Sequence, residues 1–166
     1  MKKRNISTWL VVLSLICASW LAGCQGLCQE ETFGGPLTGV DHLADYLNVA
    51  AFWVNGSGGF PAGGGSGGAG EVTLPRKWHP GLTVDVKWEV SNWKEENGTN
   101  HEAIVPVDPY TEPARVWVHF LANGSVRVVV SDYLPWNSDY PGPHDPIPDK
   151  NPWDEYPQSW VNSTDR

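Results

Sequence analysis

Five histidines are the residues best suited by type to proton transfer or metal binding: His42 beside Asp41, His79, His101 beside Glu102, His119, and His144 beside Asp145. Imidazole titrates near neutral pH and offers two ring nitrogens, so it serves both general acid–base chemistry and metal ligation. The spacings supply neither. The run HEAIVP, starting at His101, lacks the second histidine that a zinc-protease helix presents one turn later, and no serine occupies a strand-to-helix elbow. Isolated histidines in turns or on strand faces are usually structural or solvated. The residues therefore nominate no catalytic group, no metal ligand and no cofactor, and point away from an enzyme.

The other candidate for chemistry is a thiol. The chain opens with Lys2, Lys3 and Arg4, continues with an apolar run from Trp9 to Trp20, and reaches Leu21-Ala22-Gly23-Cys24. The apolar run is short of the about 20 residues a helix needs to cross a bilayer, so it reads as a secretory signal and not as a permanent span. Small residues directly before a cysteine resemble the bacterial lipobox. That resemblance implies lipidation of Cys24, cleavage before it, and acylation of the freed amine. Several acyl chains hold far more firmly than one. The expected organisation is a lipoprotein signal peptide over residues 1–23 and a lipidated N-terminus and tether over residues 24–37. Gln25, where an aspartate would argue for retention in the inner membrane, implies by the same resemblance the outer membrane, periplasmic face.

Removing residues 1–23 takes away three positive charges and no negative ones, moving the formal balance from −8 to −11. An acidic domain does not seek nucleic acid, and its only expected attachment to the membrane is the lipid. Cys17 leaves with the signal and Cys28 stands alone near the anchor, so no disulfide is expected within the mature chain. A domain without staples must rely on a hydrophobic core, and the remaining length suffices for one. The sequons at Asn55, Asn97, Asn123 and Asn162 read as turn chemistry.

The stretch GSGGFPAGGGSGGAG, Gly56 to Gly70, has the composition of a linker. Too little chain precedes it for an independent core, so it is expected as an exposed loop inside one domain, joining strand-like Tyr46–Val54 to Glu71–Leu74. No Gly-Lys-Ser/Thr follows that would make it a phosphate cradle. In LTVDVKWEV, Leu82, Val84, Val86, Trp88 and Val90 alternate with polar residues, the pattern of a half-buried strand reached through a turn at Pro80-Gly81. A three-residue loop at Ala122-Asn123-Gly124 aligns Val116, Val118 and Phe120 with Val126, Val128 and Val130. It leaves Trp117, His119 and Arg127 on the opposite face, where an interaction surface is expected. HEAIVPVD, His101–Asp108, reads as a shorter strand whose Pro106 suits an edge. The fold class expected is all-β: one small antiparallel β-sandwich-like domain over residues 38–131. A Pro/Trp/Asp-rich segment over residues 132–166, with seven of the fourteen prolines and six aromatics, is expected to dock in part.

The order VDHLADYLNVAAFWVNGSGG, the glycine run, VTLPRKWHPGLTVDVKW, then VHFLANGSVRVVVSDY and a Pro/His/Asp-rich end resembles a bacterial lipoprotein family known as domain of unknown function 3304, over roughly residues 38–150. Its sharpest piece is Leu74-Pro75-Arg76-Lys77-Trp78 with Pro80-Gly81. Relatives commonly carry adjacent cysteines where this chain has Gly70-Glu71, so no redox role carries over. Members of the family often sit beside type VI secretion genes, and some resemble immunity proteins paired with secreted phospholipases. The resemblance implies a non-catalytic binding protein whose partner is a secreted lipase effector. The surface expected for it is Arg76, Lys77, Trp78 and His79 in the turn, Trp117 and His119 on the polar face, and the glycine loop. The alternative is a structural or glycan-binding envelope module that uses exposed aromatics.

Overall fold

The computed structural model describes residues 30–150; Cys24 and the expected signal lie outside the described residues, as do Trp153, Tyr156, Trp160 and Asn162. Among the described residues, eight strands follow one another without a helix: β1 Thr32–Asp41, β2 Leu47–Val54, β3 Ser57–Phe60, β4 Glu71–Pro75, β5 Thr83–Asn92, β6 Asn97–Pro106, β7 Val116–Phe120 and β8 Val126–Val130. They form two four-stranded sheets, ordered β4-β1-β7-β8 and β3-β2-β5-β6. Within the two sheets all strand pairings are antiparallel except β1 with β7, and an isolated parallel bridge joins Val107 to Val128. The sheets pack face to face, the sandwich that the alternating apolar pattern requires. Between them lie Leu37, Phe52, Val54, Val72, Leu74, Val84, Val86, Val116, Val118, Phe120, Val128 and Val130, with Trp88 and Val126 packed at the margin.

The β7–β8 hairpin has the expected register: Val116 faces Val130, Val118 faces Val128 and Phe120 faces Val126. Gly124 N–H donates to Leu121 C=O and Leu121 N–H to Ser125 C=O, closing the three-residue loop. At the turn before β5, Leu82 N–H donates to His79 C=O at 3.2 Å. The strand expected from His101 begins earlier, at Asn97, and does lie at a sheet edge.

Two expectations about organisation are corrected. Residues 32–37, assigned to the tether, are the first half of β1, which pairs with β4 from Thr32 to Pro36 and with β7 from Leu37 to Asp41. Three of those residues, Gly34, Gly35 and Pro36, carry poor strand propensity, which hid the strand. The glycine stretch is not a plain exposed loop. Asn55 and Gly56, both at positive φ, form a two-residue hairpin turn that returns the chain as β3 along β2. Residues 62–70 then run beside β1: Gly63 N–H donates to Gly39 C=O, Asp41 N–H to Gly63 C=O, Ala69 N–H to Leu37 C=O and Leu37 N–H to Gly70 C=O. Close approach of neighbouring groups falls on β1 and not on the strip, where a Cβ at Gly63, Gly64, Gly67 or Gly68 would meet nothing within 4 Å. A Cβ on Gly39 would lie 2.6 Å from the Phe52 ring and 2.7 Å from the Ala62 methyl.

Candidate functional site

The six residues expected to form one surface are not brought together. Arg76, Lys77 and His79 are exposed in the turn after β4, and Trp78 is half-buried there with its indole N–H donating to Val107 C=O at 2.8 Å. Pro75, just before them, sits opposite Thr32 at the start of β1. Trp117 and His119 sit opposite Thr38 and Val40, toward its end. They are also not at the surface. Trp117 is 1% exposed and His119 0%. The alternation of β7 assigns Trp117 and His119 to the outer face correctly, but that face is covered by the chain after β8. Tyr140 from that segment joins Val40, Trp117 and Val129 in a second small core, and Trp117 Nε1–H donates to Ser131 C=O at 2.9 Å.

Beneath this strap, residues far apart in sequence converge. Asp41, His42 and His119 are buried. His42 Nδ1 lies 3.1 Å from Pro146 C=O, His42 Nε2 lies 2.8 Å from His119 Nδ1, and His119 Nε2 lies 2.5 Å from the Tyr140 hydroxyl. A carbonyl only accepts, so His42 carries its proton on Nδ1. The neutral ring then offers Nε2 as an acceptor, His119 donates to it through Nδ1–H, and the Tyr140 O–H donates to His119 Nε2. One direction of donation runs through all three bonds, and it leaves no ring nitrogen of either histidine without a partner. Burial, reinforced by His42, Arg127 and His144, lowers the His119 pKa to about 3, and burial raises that of the Tyr140 phenol. Both shifts favour the neutral forms this chain of bonds needs. His144 adds an Nε2–H bond to Tyr140 C=O at 3.1 Å.

A charged clamp closes the same strap. Asp41 accepts from the N–H groups of Leu43 and Val49 and from Lys150 Nζ at 3.1 Å. Lys150 also donates to the carbonyls of Leu43 and Ala44. Reach of this kind, from residue 41 to residue 150, has no local signal in the sequence. Among the described residues, no group of three or more His, Cys, Asp or Glu side chains is placed to share a metal ion.

The second sheet offers a more open feature. Trp53, Gly56, Lys87, Glu89, Asn100 and Glu102 line a groove of ≈ 580 Å³. Lys87 pairs with Glu102 at 3.1 Å and lies 3.8 Å from Asp85. Those carboxylates raise the lysine pKa. Trp88 stacks on His101 with centroids 5.1 Å apart. Periodicity assigns Trp88 to the inner face; nothing in the sequence singles out Trp53, since the pairing of β2 with β5 that sets Lys87 beside it carries no local signal.

A family model described as "Protein of unknown function (DUF3304)" matches residues 42–128. The matched span holds His42 and His119 and stops before Tyr140, Pro146 and Lys150. No curated protein and no solved structure matches the chain.

Proposed function

The chain belongs to the DUF3304 family, and we propose that it is a non-catalytic binding protein of the cell envelope. In this reading it is lipidated at Cys24, faces the periplasm from the outer membrane, and acts as an immunity protein that captures a phospholipase delivered by type VI secretion. The observation that carries the reading is the fate of the groups able to do chemistry. His42, His119 and Tyr140 spend their protons on one another and on Pro146 C=O under the strap. His79, His101 and His144 stay exposed on three separate segments, and the second sheet offers an acidic face with an aromatic groove. Affinity at such a face comes from a few aromatic or charged anchors, and an acidic field speeds the capture of a basic partner.

A second reading rests on the Trp53 groove. An indole beside an amide, carboxylates and an ammonium group has the composition of a saccharide platform: the ring stacks on a sugar face and the polar groups bond its hydroxyls. A glycan-binding envelope module would use that groove in place of a protein partner.

The neighbouring gene separates the two, since a lipase gene supports capture and a polysaccharide operon supports glycan binding. Where a lipase is encoded alongside, its expression in the periplasm should kill cells lacking this protein and spare cells making it. Alanine at each of the five histidines, tested one at a time in variants that still fold, should leave that protection in place. A lipase that is neither bound nor slowed by the purified protein removes the immunity reading.

A further inference from the structure

The longest edge strand of the sandwich lacks most of the devices that keep edges from pairing. β6, ten residues from Asn97 to Pro106, ends the sheet β3-β2-β5-β6, and among the described residues no strand pairs with the outer side of those ten; past its end the chain bridges to β8, Asp108 N–H donating to Val128 C=O. Its pairing with β5 runs from Thr83 opposite Pro106 to Asn92 opposite Asn97 without a bulge. The strand carries no lysine, and its one proline is the last residue. Bulges, edge lysines and internal prolines are the usual protections, and a long regular edge without them is a template for another strand.

The register shows which groups that template presents. Val107 N–H donates to Leu82 C=O at 3.0 Å, so Leu82 and Val107 are a hydrogen-bonded pair. In an antiparallel ladder such pairs alternate, so the odd-numbered residues of β6 bond to β5. Gly98, Asn100, Glu102 and Ile104 turn their N–H and C=O groups outward. Two observations agree with this assignment. Asp85 on β5 bonds on the opposite side, accepting from Asn55 N–H and donating to Asn55 Oδ1. Pro106, which has no N–H, falls at an outward position, where a proline disturbs nothing.

The outward residues also share the exposed face. Ile104 is 67% exposed, and Asn100 and Glu102 are exposed beside it. On β5 and β6 together, Asp85, Glu89 and Glu102 stand against a single lysine, Lys87. A second copy of this chain would bring the same acids to the edge. We propose that β6 is a docking edge for an extended, lysine- or arginine-rich segment of a partner protein, which adds a fifth strand through Gly98, Asn100, Glu102 and Ile104 and sets basic side chains against Glu89 and Glu102. This rests on the reading of the chain as a binding protein and assigns the surface that reading needs.

The test is amide hydrogen exchange followed by NMR on the full-length chain in mild detergent. The probe is a short, end-capped peptide of alternating lysine and valine, compared with one of alternating glutamate and valine. The basic peptide should slow exchange about tenfold or more at Gly98, Asn100, Glu102 and Ile104. Thr99, His101 and Ala103, already bonded to β5, should change little. The acidic peptide should leave all of them alone. Asn100→Pro, which removes one outward N–H and no bond to β5, should abolish the effect, while Asn100→Ala should keep it. Fast exchange at the four amides under saturating basic peptide overturns the proposal, and so does equal protection by the acidic peptide. Slow exchange in the protein alone means that the edge is already covered, and overturns it as well. Capture of a lipase by a chain whose edge fails this test would leave the binding reading standing and move its surface elsewhere.

Discussion

His119 has no contact with solvent, accepts from the Tyr140 hydroxyl and donates to His42. Its pKa, lowered to about 3 by burial first and nearby positive groups second, lies below the ordinary value of 6.5. The unfolded chain therefore binds a proton that the folded chain refuses as pH falls from 6.5 toward 3. Stability contributed by this histidine is complete above 6.5 and is lost through that window, on the order of 1 kcal/mol per pH unit. Urea unfolding at pH 7 and pH 4 should show the loss. His119→Leu should flatten the dependence while costing about 2–4 kcal/mol at pH 7, since it leaves His42 Nε2 and the Tyr140 O–H without partners. An unchanged pH slope in the variant would place the titration elsewhere. At this scale the sequence was half legible. Alternation put Trp117 and His119 on the outer face of their strand, correctly. It could not show that a segment beginning at Asp132 covers that face, because burial on the second side depends on chain more than ten residues away.

The glycine-rich strip and the strap are the elements whose roles composition concealed. Low complexity and an absent period read as loop, yet residues 62–70 exchange backbone bonds with β1 at Leu37, Gly39 and Asp41. Backbone pairing needs no side-chain pattern, so glycine can make it silently. Deleting Gly63–Gly68 should therefore lower the melting temperature by several degrees or more, well beyond the small cost of changing the length of a free loop. A variant that melts with the parent would return the strip to the status of a loop. For the strap, Lys150→Met removes the cation from Asp41, a carboxylate that is 1% exposed. Breaking a buried pair from one side costs about 3–5 kcal/mol, and faster proteolysis after Ser131 should accompany the lower melting temperature. By contrast, the β5 face, the β7–β8 register and the His79–Leu82 turn were all readable, because each rests on contacts within a few residues or on strict alternation.

The described residues form a two-sheet sandwich that buries His42 and His119 under the strap, leaves His79, His101 and His144 exposed, and turns the long edge of β6 and the aromatic groove outward. Six of the eight strands were legible, β5, β7 and β8 through apolar alternation; β1, β3 and the docked part of the C-terminal segment were not, being too rich in glycine or proline to announce themselves. Attachment to the membrane is a separate proposal, and it rests on Cys24. Cys24→Ala should leave a product without lipid, unprocessed and absent from the outer-membrane fraction, as intact mass and fractionation would show. An unchanged, lipid-bearing product would dismiss the anchor. The central claim is capture without catalysis. It is tested most directly by titrating a phospholipase encoded beside this chain with the purified protein and following residual lipase activity. Stoichiometric capture predicts a linear fall that ends at a fixed molar ratio and reverses when the complex is dissociated. Undiminished activity at excess protein, or inactivation by a small fraction of an equivalent, would contradict it.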